Sequence, residues 1–349
     1  MEDLGQYKED GDSGDEEEED RVQFEPAYSR PTWQLLRSLL ERPSLGELVK
    51  ELDFFSCEVF SEGCTDGYHT AVATTPNLAV STFLRLTPNA RKVRLHSTSA
   101  RLTEVLPTLS RYRNIKSLSI GELREEEFDH VAGSLGHLRH LEAPCFGVTT
   151  PFGRSRKYPT GFETLSFRYG DGRLSLPFLV ANSSSLRSLT LSVTASLDIA
   201  YSDFPQLSSL TLCAGSGRLD PGVQQREINS SHRKFWESLC KSPSLVTLSL
   251  ESHMSSLSPN DHFTSIFCGS TLWPEKSIPT LRTIRFREDA ALDRIRFLLL
   301  SPLAKTLHRI ILPATWTRQE PNEASMKTRA VVGMCEGSGI EVFYGDDHS

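Results

Sequence analysis

Histidine and cysteine are the residue types here that could hold a metal ion or carry a nucleophile. Cys57, Cys64 and His69 form one group, and His130, His137 and His140 form another. A structural zinc site needs four such ligands at short, regular spacings. Neither group has a fourth ligand or such a spacing. The seven cysteines (Cys57, Cys64, Cys145, Cys213, Cys240, Cys268, Cys335) include no CxxC pair. No HExxH, GxSxG, GxxxxGK[ST] or GxGxxG is present. Gly133-Ser134-Leu135-Gly136 and Gly215-Ser216-Gly217 have the wrong spacing for a nucleophile elbow, and Gly337-Ser338-Gly339 reads as a turn. The histidines therefore read as solvated polar residues. The thiols read as small apolar groups in a reducing compartment. No catalytic, cofactor-binding or metal residue is assigned, no cofactor is expected, and the chain does not read as an enzyme.

Charged residues that recur at a fixed interval suggest recognition instead. One column reads Arg91, Lys116, Arg139, Glu163, Arg187, Ser208, Val246, Arg282, His308. Neighbouring columns add Lys92, Arg94, His140, Arg285 and Arg309, with serines and threonines between them. Basic residues cluster at the two ends of this array, and the middle is small and hydroxylated. The candidate partner-binding residues are Arg91, Arg94, Lys116, Arg139, His140, Arg187, Arg282, Arg285 and Arg309. Such an array offers positive potential to an acidic partner, or to an acidic segment of the same chain.

The elements that must position these residues come from a repeat of the form apolar-x-x-apolar-x-apolar. Strong copies are Ile115/Leu118/Ile120, Leu138/Leu141/Ala143, Phe162/Leu165/Phe167, Leu186/Leu189/Leu191, Leu207/Leu210/Leu212, Leu245/Leu248/Leu250, Leu281/Ile284/Phe286 and Leu307/Ile310/Leu312. Weaker copies stand at Val49/Leu52/Phe54 and Ala90/Val93/Leu95, with a degenerate last one at Ile340/Val342/Tyr344. The middle residues of the strong copies are 23, 24, 24, 21, 38, 36 and 26 residues apart. Five of those seven intervals fall within the roughly 20–29 residues of a leucine-rich repeat. The two long intervals predict an inserted loop or a lengthened helix.

Alternating apolar residues face one side of a strand, and a single copy cannot bury that side alone. Successive copies must therefore stack as a parallel sheet. The expected fold class is α/β, an irregular leucine-rich-repeat solenoid: a curved parallel sheet with helices and loops on the convex side. Helices are expected at Pro31–Glu41, Phe235–Lys241 and Ala291–Ser301, and around Phe128, Val131 and Leu135. In the first, Trp33, Leu35, Leu36, Leu39 and Leu40 form the apolar stripe. Many such repeats carry an asparagine or cysteine three residues after the last strand leucine. Here those positions hold Leu123, Phe146, Gly170, Thr194, Gly215, His253, Asp289 and Thr315. No ladder is expected there, and each turn must be built individually.

The chain's 349 residues carry a net charge of −7, unevenly spread. Residues 1–20 hold eleven acids against Lys8, which leaves 37 bases and 34 acids in the rest, a net of +3. Residues 1–24 are too acidic and too poor in apolar groups to offset ordering entropy, so a disordered acidic tail is expected. Residues 25–345 are expected to form the solenoid, with an N-terminal helical cap over about 30–86. A body of +3 without an aromatic stacking platform argues against nucleic acid as the partner. No apolar run reaches the ~18 residues of a membrane span. No basic-then-apolar leader opens the sequence, so the expectation is an intracellular protein, cytoplasmic or nuclear.

Two stretches carry a family resemblance. One is Trp33-Gln34-Leu35-Leu36-Arg37-Ser38-Leu39-Leu40-Glu41-Arg42-Pro43-Ser44-Leu45 with Leu48-Val49-Lys50-Glu51-Leu52. The other is Phe83-Leu84-Arg85-Leu86-Thr87-Pro88-Asn89 leading into Val93-Arg94-Leu95. Over roughly residues 30–345 the chain resembles filamentous-fungal leucine-rich-repeat proteins, many of which carry an F-box. An F-box needs about forty helical residues ahead of the repeats, and only the acidic tail and a short linker precede Pro31. Cullin-adaptor binding is therefore not carried over. The resemblance implies the fold and a protein-recognition role: a scaffold that binds a protein partner on its concave face. The alternative is the substrate-recognition subunit of a cullin-type ubiquitin ligase with an absent or degenerate F-box, which would add ligase components to the partners.

Overall fold

Each copy of the template forms a short strand because its apolar residues recur every second position. A computed structural model describes residues 30–54, 80–95, 102–124, 136–143, 145–147, 158, 160–168, 172–192, 197, 199–213, 225–251, 274, 276–287, 292–313 and 323–345. The strands are β1 (Glu51–Phe54), β2 (Lys92–Leu95), β3 (Ser117–Ile120), β4 (Glu122–Arg124), β5 (His140–Glu142), β6 (Cys145–Gly147) and β7 (Thr164–Phe167). They continue as β8 (Ser188–Ser192), β9 (Ser209–Cys213), β10 (Thr247–Glu251), β11 (Thr283–Phe286), β12 (Arg309–Leu312) and β13 (Glu341–Tyr344). Eleven of them form one sheet in the order β1-β2-β3-β5-β7-β8-β9-β10-β11-β12-β13. Every pairing in it is parallel. All eleven template copies, the degenerate last one included, are strands of this sheet.

The register is set by one row of apolar residues. Leu52, Val93, Leu118, Leu141, Leu165, Leu189, Leu210, Leu248, Ile284, Ile310 and Val342 face one another across successive strands. A slip of one residue would turn this row out of the core. Seven of its members, from Val93 to Ile310, are fully buried, and only Val342 at the sheet edge is partly exposed among the described residues.

Helices occupy the return segments: α1 (Arg30–Glu41), α2 (Pro43–Leu48), α3 (Leu102–Leu109), α4 (Gly172–Ala181), α5 (Gln225–Leu239), α6 (Leu292–Leu300) and α7 (Glu323–Gly337). Residues 80–86 are also helical. The helices pack on the side of the sheet that the leucine row faces. Phe178 of α4 meets Phe162 and Phe167 edge-on at 5.7 and 5.9 Å, and Phe235 of α5 meets Tyr201 at 6.1 Å. The interval between Leu210 and Leu248 is long because α5 has 15 residues. The loop or helix expected in the next long interval lies mostly outside the described residues, as do the acidic tail and the helix expected around Phe128. Helices α3 and α4 contain Pro107 and Pro177, which hid them from pattern reading, since proline ordinarily ends a helix.

The N-terminal cap departs from expectation in its packing. Of the apolar stripe on α1, Leu36 and Leu39 are buried, while Leu35 and Leu40 are 50% and 58% exposed. A terminal helix has a neighbour on one side only, so it buries a narrower stripe than an internal one. Gly46 of α2 is needed for close approach: a methyl group there would collide with the Leu86 carbonyl oxygen. At the other end, α7 stops in a Schellman arrangement. Gly339 takes φ +73°, its N–H donates to the Glu336 carbonyl, and the Ile340 N–H donates to the Cys335 carbonyl.

Inter-repeat bonding follows a pattern the sequence reading did not anticipate. Two of the positions searched for an asparagine ladder, Leu123 and Phe146, pair instead as neighbours in the small parallel sheet of β4 and β6. At four other copies the residue just before the leading apolar residue reaches back to the preceding repeat. Asn89 donates to the Glu47 carbonyl (3.0 Å), Asn114 to Pro88 (3.0 Å), Ser185 to Phe162 (2.8 Å) and Ser244 to Leu207 (2.9 Å). The signal was present as a polar residue ahead of most copies. It lies ahead of the strand, whereas the asparagine ladder is expected three residues after the last strand leucine.

Candidate functional site

In each strand the residues between and after the leucines point away from the core, so the sheet presents three outward positions per repeat. Over β7 to β11 these are Thr164, Ser166 and Arg168; Ser188, Thr190 and Ser192; Ser209, Thr211 and Cys213; Thr247, Ser249 and Glu251; and Thr283, Arg285 and Arg287. Ten of these fifteen side chains are Ser or Thr, and all the formal charge sits on Arg168, Glu251, Arg285 and Arg287.

Three of the charged groups form a clasp. Arg168 Nη1 donates to Glu251 Oε1 at 2.7 Å, and Arg287 Nη1 lies 3.6 Å from Glu251 Oε2. The Glu251 side chain is only 7% exposed, against 28% for Arg168 and 40% for Arg287. Arg168 follows β7 and Glu251 ends β10, three strands apart, which is roughly 14 Å along a flat sheet. Two features let the side chains meet. Both side chains are long, and the intervening residues in that row, Ser192 and Cys213, are small and buried. The Cys213 thiol also donates to Glu251 Oε2, at 3.6 Å.

That thiol is not a nucleophile. Burial, followed by the negative charge of Glu251, pushes its pKa up to about 12. Burial likewise raises Cys335 to about 11 and raises Cys240. All three thiols are free and stay protonated at neutral pH. No cluster of three metal-ligating side chains occurs among the described residues. The Cys57, Cys64 and His69 group and His130 lie outside the described residues. His137 has its pKa lowered by burial first, then by Lys116, Arg113 and Arg139, which suits a neutral imidazole. No helix of the described residues is long and apolar enough to cross a membrane.

The basic residues singled out from sequence do not converge on one site. At the first end, Arg94 is paired with Glu51 (3.0 Å) and Asp53 (3.4 Å), and Lys92 with Glu51 (3.2 Å). Arg91, Lys116 and Arg187 are exposed, and His140 is half-buried. Arg139 donates to the carbonyls of Leu138 and Gly161 and lies 3.9 Å from Glu163. Arg282 donates to the carbonyls of Pro279 (2.7 Å), Leu281 (3.1 Å) and Thr306 (3.4 Å). These two guanidinium groups tie one repeat to the next. At the last end, Arg309 sits 4.5 Å above the Phe343 ring and 3.8 Å from Glu341. Arg282, His308 and Arg309 come together around an open cleft of about 620 Å³ with Glu341 on its wall. Arg285 stands apart from them, at the register position of Ser249 in the central trough.

Arg168, Glu251 and Arg287 were missed by sequence reading. Their common signal is position: each directly follows the last strand apolar residue of its copy. That row was passed over while a structural asparagine was sought two residues further on.

A single open parallel sheet of eleven strands, one per repeat and with helices in the returns, defines the chain as a leucine-rich-repeat solenoid of irregular kind. No family model matches the sequence, and no curated protein matches it. Among solved structures, the chain is similar to the leucine-rich repeat-containing protein LegL7 from Legionella pneumophila. The TM-score is 0.43 and the identity 14%, over 84% of this chain and 94% of that one.

Proposed function

We propose that this protein is a non-catalytic scaffold that binds a protein partner on the outward, concave face of its sheet. The observation that carries the reading is the continuous outward face over β7 to β11. It is built mostly of small hydroxylated side chains in register, with Arg168, Glu251 and Arg287 along one row and Arg285 in the next. Such a face offers hydrogen-bond donors and acceptors at regular spacing and no large side chain to obstruct a docking chain. An intracellular home goes with this reading, and the three cysteines Cys213, Cys240 and Cys335 among the described residues are free.

The test is affinity purification of the tagged full chain from its own cells, with two variants alongside. Thr190→Arg and Thr247→Arg place bulk on the outward face, while Lys234→Glu alters exposed α5 on the opposite side. A stoichiometric partner lost with both threonine variants and kept with Lys234→Glu supports the reading. A partner indifferent to the threonine variants sinks it.

A second reading, a ubiquitin-ligase substrate receptor, is favoured by one feature. Leu35, Leu40 and Leu48 of the N-terminal cap are 50%, 58% and 72% exposed, an apolar surface of the sort an adaptor covers. Recovery of a cullin and its adaptor, abolished by Leu40→Glu with Leu48→Glu, is the expected result if it holds. The same purification without ligase components discards it.

A further inference from the structure

We propose that the Arg168–Glu251–Arg287 clasp is the anchor of the binding face: a receptor for a carboxylate side chain of an acidic, extended peptide lying over β7 to β11. This deepens the concave-face reading and rests on it.

Charge is the first argument. Among the described residues, two guanidinium groups share one carboxylate, so the clasp carries one positive charge in excess. Among the fifteen outward positions of these strands the balance is three arginines to one glutamate. An incoming carboxylate completes the neutralisation where a lysine or arginine would be repelled. A single-charged carboxylate also suits the site better than a phosphate dianion, because Glu251 stands beside it.

Pre-organisation is the second. Glu251 is buried, and both its oxygens are engaged, Oε1 by Arg168 and Oε2 by Arg287 and the Cys213 thiol. It therefore serves as an internal brace that fixes two partly exposed guanidinium forks. Each fork carries five N–H donors in fixed geometry, and the brace uses few of them. Arg168 Nε is buried and has no hydrogen-bond partner among the described residues. Donors already oriented lose less entropy when a ligand arrives.

The floor is the third. Ser188, Thr190, Ser209 and Thr247 are small and half-buried, so peptide backbone can approach the sheet beside the clasp. Their hydroxyls both donate and accept, which suits peptide N–H and C=O groups alike.

The experiment uses the full chain and a fluorescein-labelled oligoglutamate peptide, with oligoglutamine as control, read by fluorescence anisotropy at low ionic strength. Oligoglutamate is expected to bind and oligoglutamine not. Arg168→Gln and Arg287→Gln should each weaken binding about tenfold or more, the scale of a lost charge-assisted contact. Thr190→Glu leaves the clasp intact but sets a carboxylate in the trough. It should weaken binding comparably while leaving the thermal melt unchanged, which separates blocking from misfolding. Arg91→Gln and Lys116→Gln should leave binding as it is. Failure of oligoglutamate to bind overturns the proposal, as does binding indifferent to the clasp and Thr190 variants or lost with Lys116→Gln. If the clasp proves irrelevant to the peptide while the captured partner is still lost with Thr247→Arg, this proposal falls and the concave-face reading stands. If the partner ignores Thr247→Arg as well, both fall.

Discussion

A basic side chain on a repeat strand has two competing uses, and its neighbours decide between them. Arg282 extends across the turn and satisfies three backbone carbonyls, whereas Arg91 is exposed at an equivalent position. Hydrogen bonds to a charged donor contribute about 1.5–3 kcal/mol when shielded, and less where water competes, as it does here. Arg282→Ala should therefore cost about 1 kcal/mol, and Arg91→Ala should stay within about 0.5 kcal/mol in denaturant melts. Equal effects would mean that the carbonyl contacts carry no stability. Asn182 shows the same logic in the core. It is fully buried, accepts from the Phe162 N–H and donates to the Phe178 carbonyl, both at 3.0 Å.

The buried thiols make a pH statement at this scale. Burial raises Cys213 to about 12 and Cys335 to about 11, above the ordinary thiol value, and it raises Tyr344 too. Above pH 9 the unfolded chain releases these protons more readily than the folded one, so it is the unfolded state that gains. Stability is expected to be fully present below pH 9 and to decline between 9 and 12. Cys213→Ser should blunt that decline in melts taken across the range. An unchanged slope would show that Cys213 ionises freely in the folded chain.

At the scale of elements, the cap is held by backbone proximity as much as by apolar burial. Gly46 lets α2 lie against the end of the helical residues 80–86, and Asn89 fastens that turn to the Glu47 carbonyl. Gly46→Ala forces the two backbones apart and should cost about 1–3 kcal/mol or more, the usual range for overpacking. A melt that matches wild type would place the cap further from the solenoid than the structure does. The strands were legible in the sequence because two-residue alternation is local. The helices with internal prolines, α3 and α4, were not. Their stability comes from packing residues such as Val105, Leu106, Phe178 and Leu179 on the sheet, which overrides the weak local preference.

For the whole molecule, a solenoid distributes its stability by neighbour contacts. The row from Leu52 to Val342 links each repeat to the next and to no distant one. Truncating Leu248, fully buried in that row, should cost about 2–5 kcal/mol. Hydrogen exchange is expected to quicken in β9, β10 and β11 and to stay unchanged in β2 and β3. Uniform loss of protection along the chain would show a single cooperative unit instead. The clasp is the exception to neighbour-only coupling, since it joins β7 to β10 across two intervening strands.

The sequence by itself determined the eleven strands of the main sheet, their order and their register, but not the small sheet of β4 and β6. Apolar periodicity and the repeat interval act over a few residues and a single turn of the solenoid, so every copy of the template declares its own place. It also determined that basic residues recur in the outward array and that the centre of the array is small and hydroxylated. Tertiary structure alone decided what those charges do. Whether an arginine ties a turn, pairs with an acid or clasps a buried glutamate 83 residues away depends on which strands lie between and on how small their side chains are. Those are properties of strands already stacked, because the distance between two side-chain tips is set by strand order and register in the whole sheet and by no spacing along the chain.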